Sequence, residues 1–238
     1  DAAGVMLLGI IFGFFGWLYL SGGWTPDERK RLYMIGVLFL AASIFWSLFE
    51  QAGSTLNLFA RDSTRNTAFG MGFPSSWFQS MNSMFLILFA PVMAWVWIRL
   101  SAAGQEPSTP MKFAFGLVFA GLGFAILVPP AQAEGQLASP LWLTSTYFLH
   151  TIGELLISPV GLSAMTVLAP ARIGGLMMGG WFLATSIGNK LSGVLASLWD
   201  TYDHKANFFL VNFAACTVAG LIIFAMIKWL RGIINKHA

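Results

Sequence analysis

Seven long apolar stretches constrain the fold of this chain more than any other feature of its sequence. Each has about the 20 residues that an α-helix needs to cross the roughly 30 Å hydrocarbon core of a bilayer. Only 10% of the residues are charged and 57% are hydrophobic, whereas soluble domains carry about 25% charged residues. The sequence therefore predicts an all-α, polytopic membrane protein with seven transmembrane helices, at about residues 3–21, 32–60, 76–100, 110–129, 140–168, 174–199 and 207–231.

Short polar motifs mark where several of these helices begin. Thr25 precedes Pro26, and Glu28 follows three residues after the threonine, which is the pattern of a capping box with proline in the first helical turn. The same order of a hydroxyl residue before a proline recurs at Thr109-Pro110 and Ser139-Pro140.

The charged residues of the loops predict the orientation of the chain. Alternating crossings place nine Lys and Arg residues on one side of the membrane and three on the other. By the positive-inside rule the first side, which includes the C-terminus, is cytoplasmic. An odd number of spans then leaves the N-terminus outside, so we expect further helices upstream of this sequence. The net charge of +3 follows from this bias, and we predict no nucleic-acid partner.

Two carboxylates and one ammonium group lie well inside the predicted spans, away from their ends, on Glu50, Glu154 and Lys190. A charged side chain costs about 2.5–3.5 kcal/mol at the centre of a bilayer on insertion scales. Each of the three is therefore expected to face protein or water and to have a partner.

Glu50 belongs to a polar stripe on the second predicted span, with Trp46 beside it. The stripe follows helical spacing, and its residues are Ser43, Ser47, Glu50, Ser54 and Asn57. We interpret the stripe as the wall of a cavity. A polar seam between two packed helices is the alternative, because Ser and Asn hold membrane helices together.

The span that contains Glu154 combines an ionisable group with a residue that weakens the helix. His150, Glu154 and Ser158 are four residues apart and share one helix face. Pro159 follows directly, and because it has no N–H it frees the carbonyl group of Leu155 and predicts a gating hinge. A fixed kink is the alternative. We interpret His150 as a core histidine, because no third metal ligand has a suitable spacing.

Two further spans carry residues that are typical of a cavity. The third has Asn82, with Gln79 one turn earlier and Pro91 further along as a second possible hinge. The sixth has Trp181, which would line a binding pocket or lie in the aromatic belt at the membrane interface. We predict no metal site and no cofactor. Cys216 is the only cysteine, so the chain cannot form an internal disulfide bond.

The segments FWSLFEQAGSTLNLF and GELLISPVGLS together resemble the C-terminal half of bacterial proton-dependent oligopeptide transporters, a branch of the major facilitator superfamily. The likeness covers residues 25–231. It implies that residues 25–238 form the C-terminal six-helix bundle, family helices seven to twelve. Residues 1–24 then form one of the extra helices that bacterial members insert between the two bundles. The N-terminal bundle, which carries the other half of the site, would be a partner outside this sequence.

The resemblance also implies roles for individual residues. Glu50 resembles the acid that couples transport to protons, Glu154 the acid that meets the amino terminus of the peptide, and Asn82 the amide that binds the peptide backbone. Other positions resemble the lining of the pocket, namely Trp46, Ser158 and Trp181. Helix bending at Pro159 and Pro91 would open and close the gates.

The expected function is therefore proton-coupled symport of di- and tripeptides across the inner membrane by alternating access, and we predict no enzymatic activity. The expected partners are peptide, protons and membrane lipid.

A major facilitator transporter of another small substrate and a non-transporting peptide receptor are the alternatives. A retinal pigment is disfavoured because Lys190 lies in the sixth span rather than the last. An intramembrane hydrolase is disfavoured because the sequence has no H-E-x-x-H motif and no G-x-S-G motif paired with a histidine.

Overall fold

Helices form nearly all of the chain in the computed structural model, which describes residues 2–68, 70–133 and 135–234. The α-helices of this part are α1 (Ala2–Leu20), α2 (Pro26–Phe49), α3 (Thr55–Ser63), α4 (Trp77–Ala102), α5 (Thr109–Gln132), α6 (Pro140–Leu168), α7 (Gly174–Ser197) and α8 (Lys205–Ile234). Between α3 and α4, the two-residue strands β1 (Thr67–Ala68) and β2 (Met71–Gly72) pair in antiparallel fashion.

Five helical units of the described chain are long and apolar enough to cross a membrane. They are Pro26–Ser63, Trp77–Ala102, Thr109–Gln132, Pro140–Leu168 and Lys205–Leu230. Helix α1 is apolar over the shorter stretch Gly4–Leu20. Helix α7 also has 24 residues, but its glycine and polar residues make it less apolar than those five units. The predicted all-α, polytopic membrane fold is confirmed.

The second predicted span, 32–60, is not one continuous helix. Helix α2 ends at Phe49, a 3-10 turn occupies Glu50–Gly53, and α3 begins at Thr55. Ser54 has non-helical dihedral angles, with φ −125° and ψ −96°. Gly53 and Ser54 are both poor residues for a helix interior, so the apolar stretch contains a break that its hydropathy does not show.

The helix starts largely follow the sequence motifs. The hydroxyl group of Thr25 accepts a hydrogen bond from the Glu28 N–H at 3.2 Å, and the Glu28 carboxylate accepts one from the Thr25 N–H at 2.8 Å. Ser139 also caps its helix through its side chain. The motif at Thr109 was misplaced by one residue, because Thr109 is the first helical residue and Ser108 takes the cap position.

Glycines allow the central helices to approach one another closely. A Cβ atom at Gly153 of α6 would lie 2.8 Å from the carbonyl oxygen of Gly116 in α5. A Cβ atom at Gly121 would lie 2.9 Å from the Thr217 hydroxyl group of α8. Helix α5 therefore packs between α6 and α8 with its backbone near theirs, which is a common form of helix association in membranes.

The connection between α1 and α2 is held against the loop between α6 and α7. The Arg172 guanidinium group lies 3.8 Å from the centre of the Trp24 ring and donates a hydrogen bond to the Gly23 carbonyl group at 3.1 Å. The Trp24 indole N–H donates to the Leu18 carbonyl group at 2.8 Å. The division into a separate helix at 1–24 and a six-helix bundle at 25–238 stays a prediction.

Candidate functional site

Helices α4 and α6 bring three polar side chains into direct contact inside the membrane region. The Asn82 amide nitrogen donates hydrogen bonds to a Glu154 carboxylate oxygen at 2.9 Å and to the Thr151 hydroxyl group at 3.1 Å. Thr151 in turn donates to the Tyr147 carbonyl group at 2.7 Å. Asn82 and Glu154 are both only half-buried, so the pair can contact a ligand. Two of the predicted site residues are therefore neighbours.

Glu50 lies close to this pair, at the point where α2 ends. It is the first residue of the 3-10 turn and is half-buried. The ring of Phe49, the residue before Glu50, lies 6.4 Å from the ring of His150, which is one turn before Glu154 on α6. The structure thus places two carboxylates from helices far apart in the sequence at one site.

Gln51 organises the turn that carries Glu50. Its side chain is fully buried, and its amide oxygen accepts a hydrogen bond from the Thr55 hydroxyl group at 2.6 Å. Its amide nitrogen donates to the Ser192 carbonyl group of α7 at 3.5 Å. From the other side, the Tyr147 hydroxyl group of α6 donates to the Ala52 carbonyl group at 3.3 Å. The broken backbone beside Glu50 is therefore held by α3, α6 and α7.

Gln51 was part of the sequence motif, but no role for it could be read from the sequence. The available signal was its spacing, since hydroxyl residues lie four positions before and four positions after it, at Ser47 and Thr55. That spacing places hydrogen-bonding groups on the same side of a helix. Nothing in the local sequence indicated that the Gln51 amide nitrogen would donate to Ser192 of α7.

The two tryptophans assigned to the pocket lie between helices. Trp46 is 9% exposed and contacts α7 at Gly188, and Trp181 is 4% exposed and contacts α6 at Gly161. Only glycine leaves room for the indole ring of Trp181 at Gly161, and for the Cβ atom and backbone of Trp46 at Gly188. The Trp46 indole N–H is buried and has no hydrogen-bond partner among the described residues. The pocket-lining role of both tryptophans stays a prediction.

The single polar stripe predicted along residues 43–57 is wrong in two respects. Ser43 and Ser47 are buried, and their hydroxyl groups donate to carbonyl groups of their own helix, at Phe39 and Ile44. The stripe also cannot be continuous, because the helix is interrupted after Phe49. A serine hydroxyl group can donate to a carbonyl group of its own helix. A serine in an apolar span therefore does not indicate a polar cavity beside it.

The remaining predicted residues are distributed along α4 and α6. His150 is 1% exposed and its Nε2 atom lies 3.1 Å from the Ala120 carbonyl oxygen, which confirms a core histidine. Ser158 is half-buried one turn beyond Glu154. Pro159 and Pro91 are exposed and lie within helices that continue through them. Their roles as hinges stay predictions.

The arrangement is suited to binding a cation or a proton. A carboxylate accepts hydrogen bonds from an ammonium group and forms stronger bonds with it than with neutral donors. The neighbouring amide adds a group that can both donate and accept. An ionisable pair within the membrane region is costly and is a hallmark of ion or substrate pathways.

The fold and this site define a polytopic helical membrane protein of the transporter type, and comparison with known proteins identifies its family. The sequence profile of the POT family matches residues 16–215. The chain is 38% identical to the peptide transporter YePEPT of Yersinia enterocolitica subsp. palearctica over 90% of its own length and 42% of that protein. It is 32% identical to a di-/tripeptide transporter of Lactococcus lactis subsp. cremoris over 90% of its own length and 44% of that protein. The chain belongs to the POT family.

Solved structures agree with this assignment. The peptide transporter POT in complex with sulfate is 35% identical and superposes with a TM-score of 0.89 over 97% of this chain and 46% of that one. A POT family transporter in complex with 5-aminolevulinic acid is 29% identical, with a TM-score of 0.87 over 95% of this chain and 47% of that one. The chain spans less than half the length of these relatives, which agrees with the expected half of a major facilitator fold. All of them are named as transporters rather than enzymes.

Proposed function

We propose that this chain supplies the C-terminal half of the binding cavity of a proton-coupled symporter of di- and tripeptides. The observation that carries the proposal is the hydrogen-bonded pair of Asn82 and Glu154 beside the second carboxylate of Glu50. The two relatives named above, which are named as peptide or di-/tripeptide transporters, support peptide as the substrate.

Glu154 would bind the amino terminus of the peptide. Its half-buried carboxylate offers a charged hydrogen-bond acceptor, and Asn82 already holds one of its oxygen atoms at 2.9 Å. When a peptide enters, the Asn82 amide can turn to the peptide backbone while the ammonium group replaces it at Glu154. Ser158 lies one turn further along α6 and would contact the next part of the peptide, with Trp46 and Trp181 as walls.

Glu50 would couple this binding to protons. A carboxylate between helices exchanges its proton when the surrounding cations and water change, and the resemblance implies cationic partners in the N-terminal half. Moving one charge through 100 mV supplies about 2.3 kcal/mol. Bending at Pro159 and Pro91 would then let the two half-bundles rock about the central site.

The test is uptake of a labelled dipeptide by the full-length transporter in proteoliposomes with an inward proton gradient. We expect accumulation that a protonophore abolishes. Glu50→Gln should abolish uphill accumulation but retain exchange of peptide across the membrane. Glu154→Gln should raise the half-saturating peptide concentration about 10- to 100-fold, because a charged hydrogen bond is lost.

Asp62→Asn is the matched control, since it neutralises an exposed acid of α3 that pairs with Arg61 outside the site. Uptake by this variant should be unchanged. Intact uphill uptake by the Glu50→Gln variant would contradict the coupling role. Peptide binding without exchange would instead indicate a receptor that does not transport.

A smaller substrate with an ammonium group is the second candidate. It is favoured by the similarity to the POT family transporter in complex with 5-aminolevulinic acid, because one carboxylate can hold the ammonium group of either ligand. Competition distinguishes the two. If dipeptides fail to displace a labelled amino acid of this kind while unlabelled amino acid does, the peptide assignment is contradicted.

The proposed location is the inner membrane, with the C-terminus in the cytoplasm. The basis is the excess of Lys and Arg at the ends of helices that would share that face, including Arg29, Arg99 and Lys228. A reporter fused to the C-terminus that is active only in the cytoplasm should be active. Activity of a reporter that works only outside the membrane would reverse the orientation.

A further inference from the structure

An apolar groove runs along the outer face of the molecule between α1, α2 and α8. Its volume is about 570 Å³ at one end, where it is lined by residues that include Phe15, Tyr33, Leu40 and Trp229. A second cavity of about 230 Å³ between α2 and α8 shares Val37 and Leu40 with the first. The two cavities therefore adjoin along α2 and together form a groove, and neither is lined by Glu50 or Glu154.

The length of the groove matches one leaflet of a bilayer. On α2 its lining extends from Tyr33 to Ile44, which is about 16 Å at 1.5 Å per residue. Half of a hydrocarbon core of about 30 Å is nearly the same distance. The lining side chains are aliphatic and aromatic over this length. A single acyl chain therefore fits both the length and the chemistry of the groove.

Basic side chains stand at the Tyr33 end of the groove. Arg29 and Lys30 are exposed and precede Tyr33 by one turn, on the same exposed stripe of α2 that continues to Leu40. Lys228 is exposed next to Trp229 on α8. Tyr and Trp are the residues that prefer the level of the lipid head groups. Positive charge therefore lies just beyond the level where a phosphate group would be.

The acidic residues nearby offset only part of this charge. Glu28 turns its carboxylate back to the Thr25 N–H, at 2.8 Å. Asp27 is also exposed, one turn before Lys30 on α2, so these two acids stand against four basic residues, Arg29, Lys30, Arg31 and Lys228. The head-group end of the groove thus presents Arg29, Lys30 and Lys228 to an anion.

We propose that this groove is a binding site for one anionic phospholipid. An acyl chain would lie between α2 and α8, and the phosphate and the rest of the charged head group would contact Arg29, Lys30 and Lys228. Each basic residue near an anionic head group contributes about fivefold in affinity. The site would select the lipid by charge and would hold α1 against the bundle from the outer side.

Native mass spectrometry of the full-length protein tests the proposal directly. The protein is exchanged into detergent with equal amounts of phosphatidylglycerol and phosphatidylcholine, and the retained lipids are counted. We expect one phosphatidylglycerol to be retained in preference to phosphatidylcholine. Lys30→Gln should lower its affinity about fivefold, and the triple variant Arg29→Gln, Lys30→Gln, Lys228→Gln by roughly 100-fold.

Two further variants separate a groove site from general attraction to a basic face. Leu40→Trp fills the groove without changing any charge, and because Leu40 is 63% exposed the bundle should still fold. This variant should lose the retained lipid. Arg99→Gln removes one exposed positive charge from the corresponding end of α4 and should leave retention unchanged.

Several results would overturn the proposal. Equal retention of the two lipids would show that charge does not select. A loss with Arg99→Gln as large as that with Lys30→Gln would indicate a diffuse surface effect. If no lipid is retained while Leu40→Trp lowers the thermal stability of the full-length protein, another segment of the protein fills the groove.

Discussion

Gln51 shows how a residue that need not touch the substrate can determine the geometry of an acidic site. It is fully buried, and its amide group joins Thr55 of α3 to Ser192 of α7. Buried polar groups are expensive to leave without partners. The turn that carries Glu50 is therefore held by hydrogen bonds rather than by apolar packing alone.

Replacement of Gln51 by leucine should loosen this turn. The change removes the acceptor of the Thr55 hydroxyl group and should lower the free energy of unfolding by about 1–3 kcal/mol. For a chain of this size that corresponds to a thermal midpoint lower by roughly 2–10 °C. Thermal unfolding in detergent measures it. Gln79→Leu is the control, because Gln79 is exposed and its replacement should have little effect. Equal midpoints for the two variants would refute the role.

At the scale of elements, the backbone contact between α5 and α6 determines where Glu154 lies. Gly116 and Gly153 face each other across this contact, and Phe45 of α2 covers it, since a Cβ atom at Gly153 would lie 3.2 Å from the Phe45 ring. Glu154 follows directly on α6. A shift of α6 away from α5 would therefore move the carboxylate relative to Asn82 and Glu50.

Gly153→Ala should destabilise the bundle for this reason. The added methyl group meets the Gly116 carbonyl oxygen at 2.8 Å, and overpacking of this kind costs about 1–3 kcal/mol. Gly193→Ala is the matched control in α7, where nothing lies within 4 Å of the added atom and alanine favours the helix by up to about 1 kcal/mol. Opposite shifts of the thermal midpoint are expected. A gain of stability in Gly153→Ala would disprove the close contact.

The connection between α4 and α5 is held by an ion pair that depends on pH. The Lys112 ammonium group lies 2.6 Å from the Glu106 carboxylate and 4.4 Å from the centre of the Trp97 ring. The hydrogen bond from Lys112 lowers the pKa of Glu106 below its ordinary value near 4.5. A lowered pKa means that the pair stabilises the fold above pH 4.5 and that this contribution is lost as the pH falls through the lowered pKa.

Glu106→Gln should therefore differ from the wild type only at higher pH. The Glu106 side chain is 41% exposed, so solvent screening limits the loss to at most about 1 kcal/mol at neutral pH. The two thermal midpoints should converge as the pH falls below 4.5 and through the lowered pKa of Glu106, because the carboxylate of the wild type then also becomes neutral. Midpoints measured at several pH values test this. A difference that persists unchanged at low pH would exclude the ion pair as its cause.

At the scale of the whole molecule, the two carboxylates are the main unfavourable feature of this chain. Glu50 and Glu154 are both half-buried, and the cations that the resemblance implies for them belong to the N-terminal half. Charges held between helices without compensation are destabilising. The favourable packing of α5 with α6 and α8 must offset this cost.

Neutralising both acids should accordingly stabilise residues 1–238 in isolation. We expect the double variant Glu50→Gln, Glu154→Gln to gain about 1–3 kcal/mol, or roughly 2–10 °C in thermal midpoint. The glutamine at position 154 can still accept the hydrogen bond from Asn82. Asp62→Asn, which changes an exposed acid, should bring no gain. An unchanged or lower midpoint in the double variant would show that the two charges are already compensated within this chain.

Much of the candidate site could be predicted, and what could not has a physical explanation. Glu50 and Glu154 stood out because a carboxylate in an apolar span is costly wherever the helix lies. The break after Phe49 was missed because hydropathy averages over many residues and does not register a turn of four. The contacts of Trp46 with α7 and of Trp181 with α6 could not be predicted, because they depend on glycines in helices distant along the chain, at Gly188 and Gly161.

The sequence by itself determined that this is an all-α membrane protein, where most helices begin, and which residues in the spans need partners. These properties follow from local hydropathy, from caps such as Thr25, and from the cost of placing charge in hydrocarbon. Only the tertiary structure decided that Asn82 bonds Glu154, that Gln51 holds the turn of Glu50, and that α2 and α8 leave a groove between them. Contacts of this kind join helices far apart in the sequence, and they arise only when the helices pack.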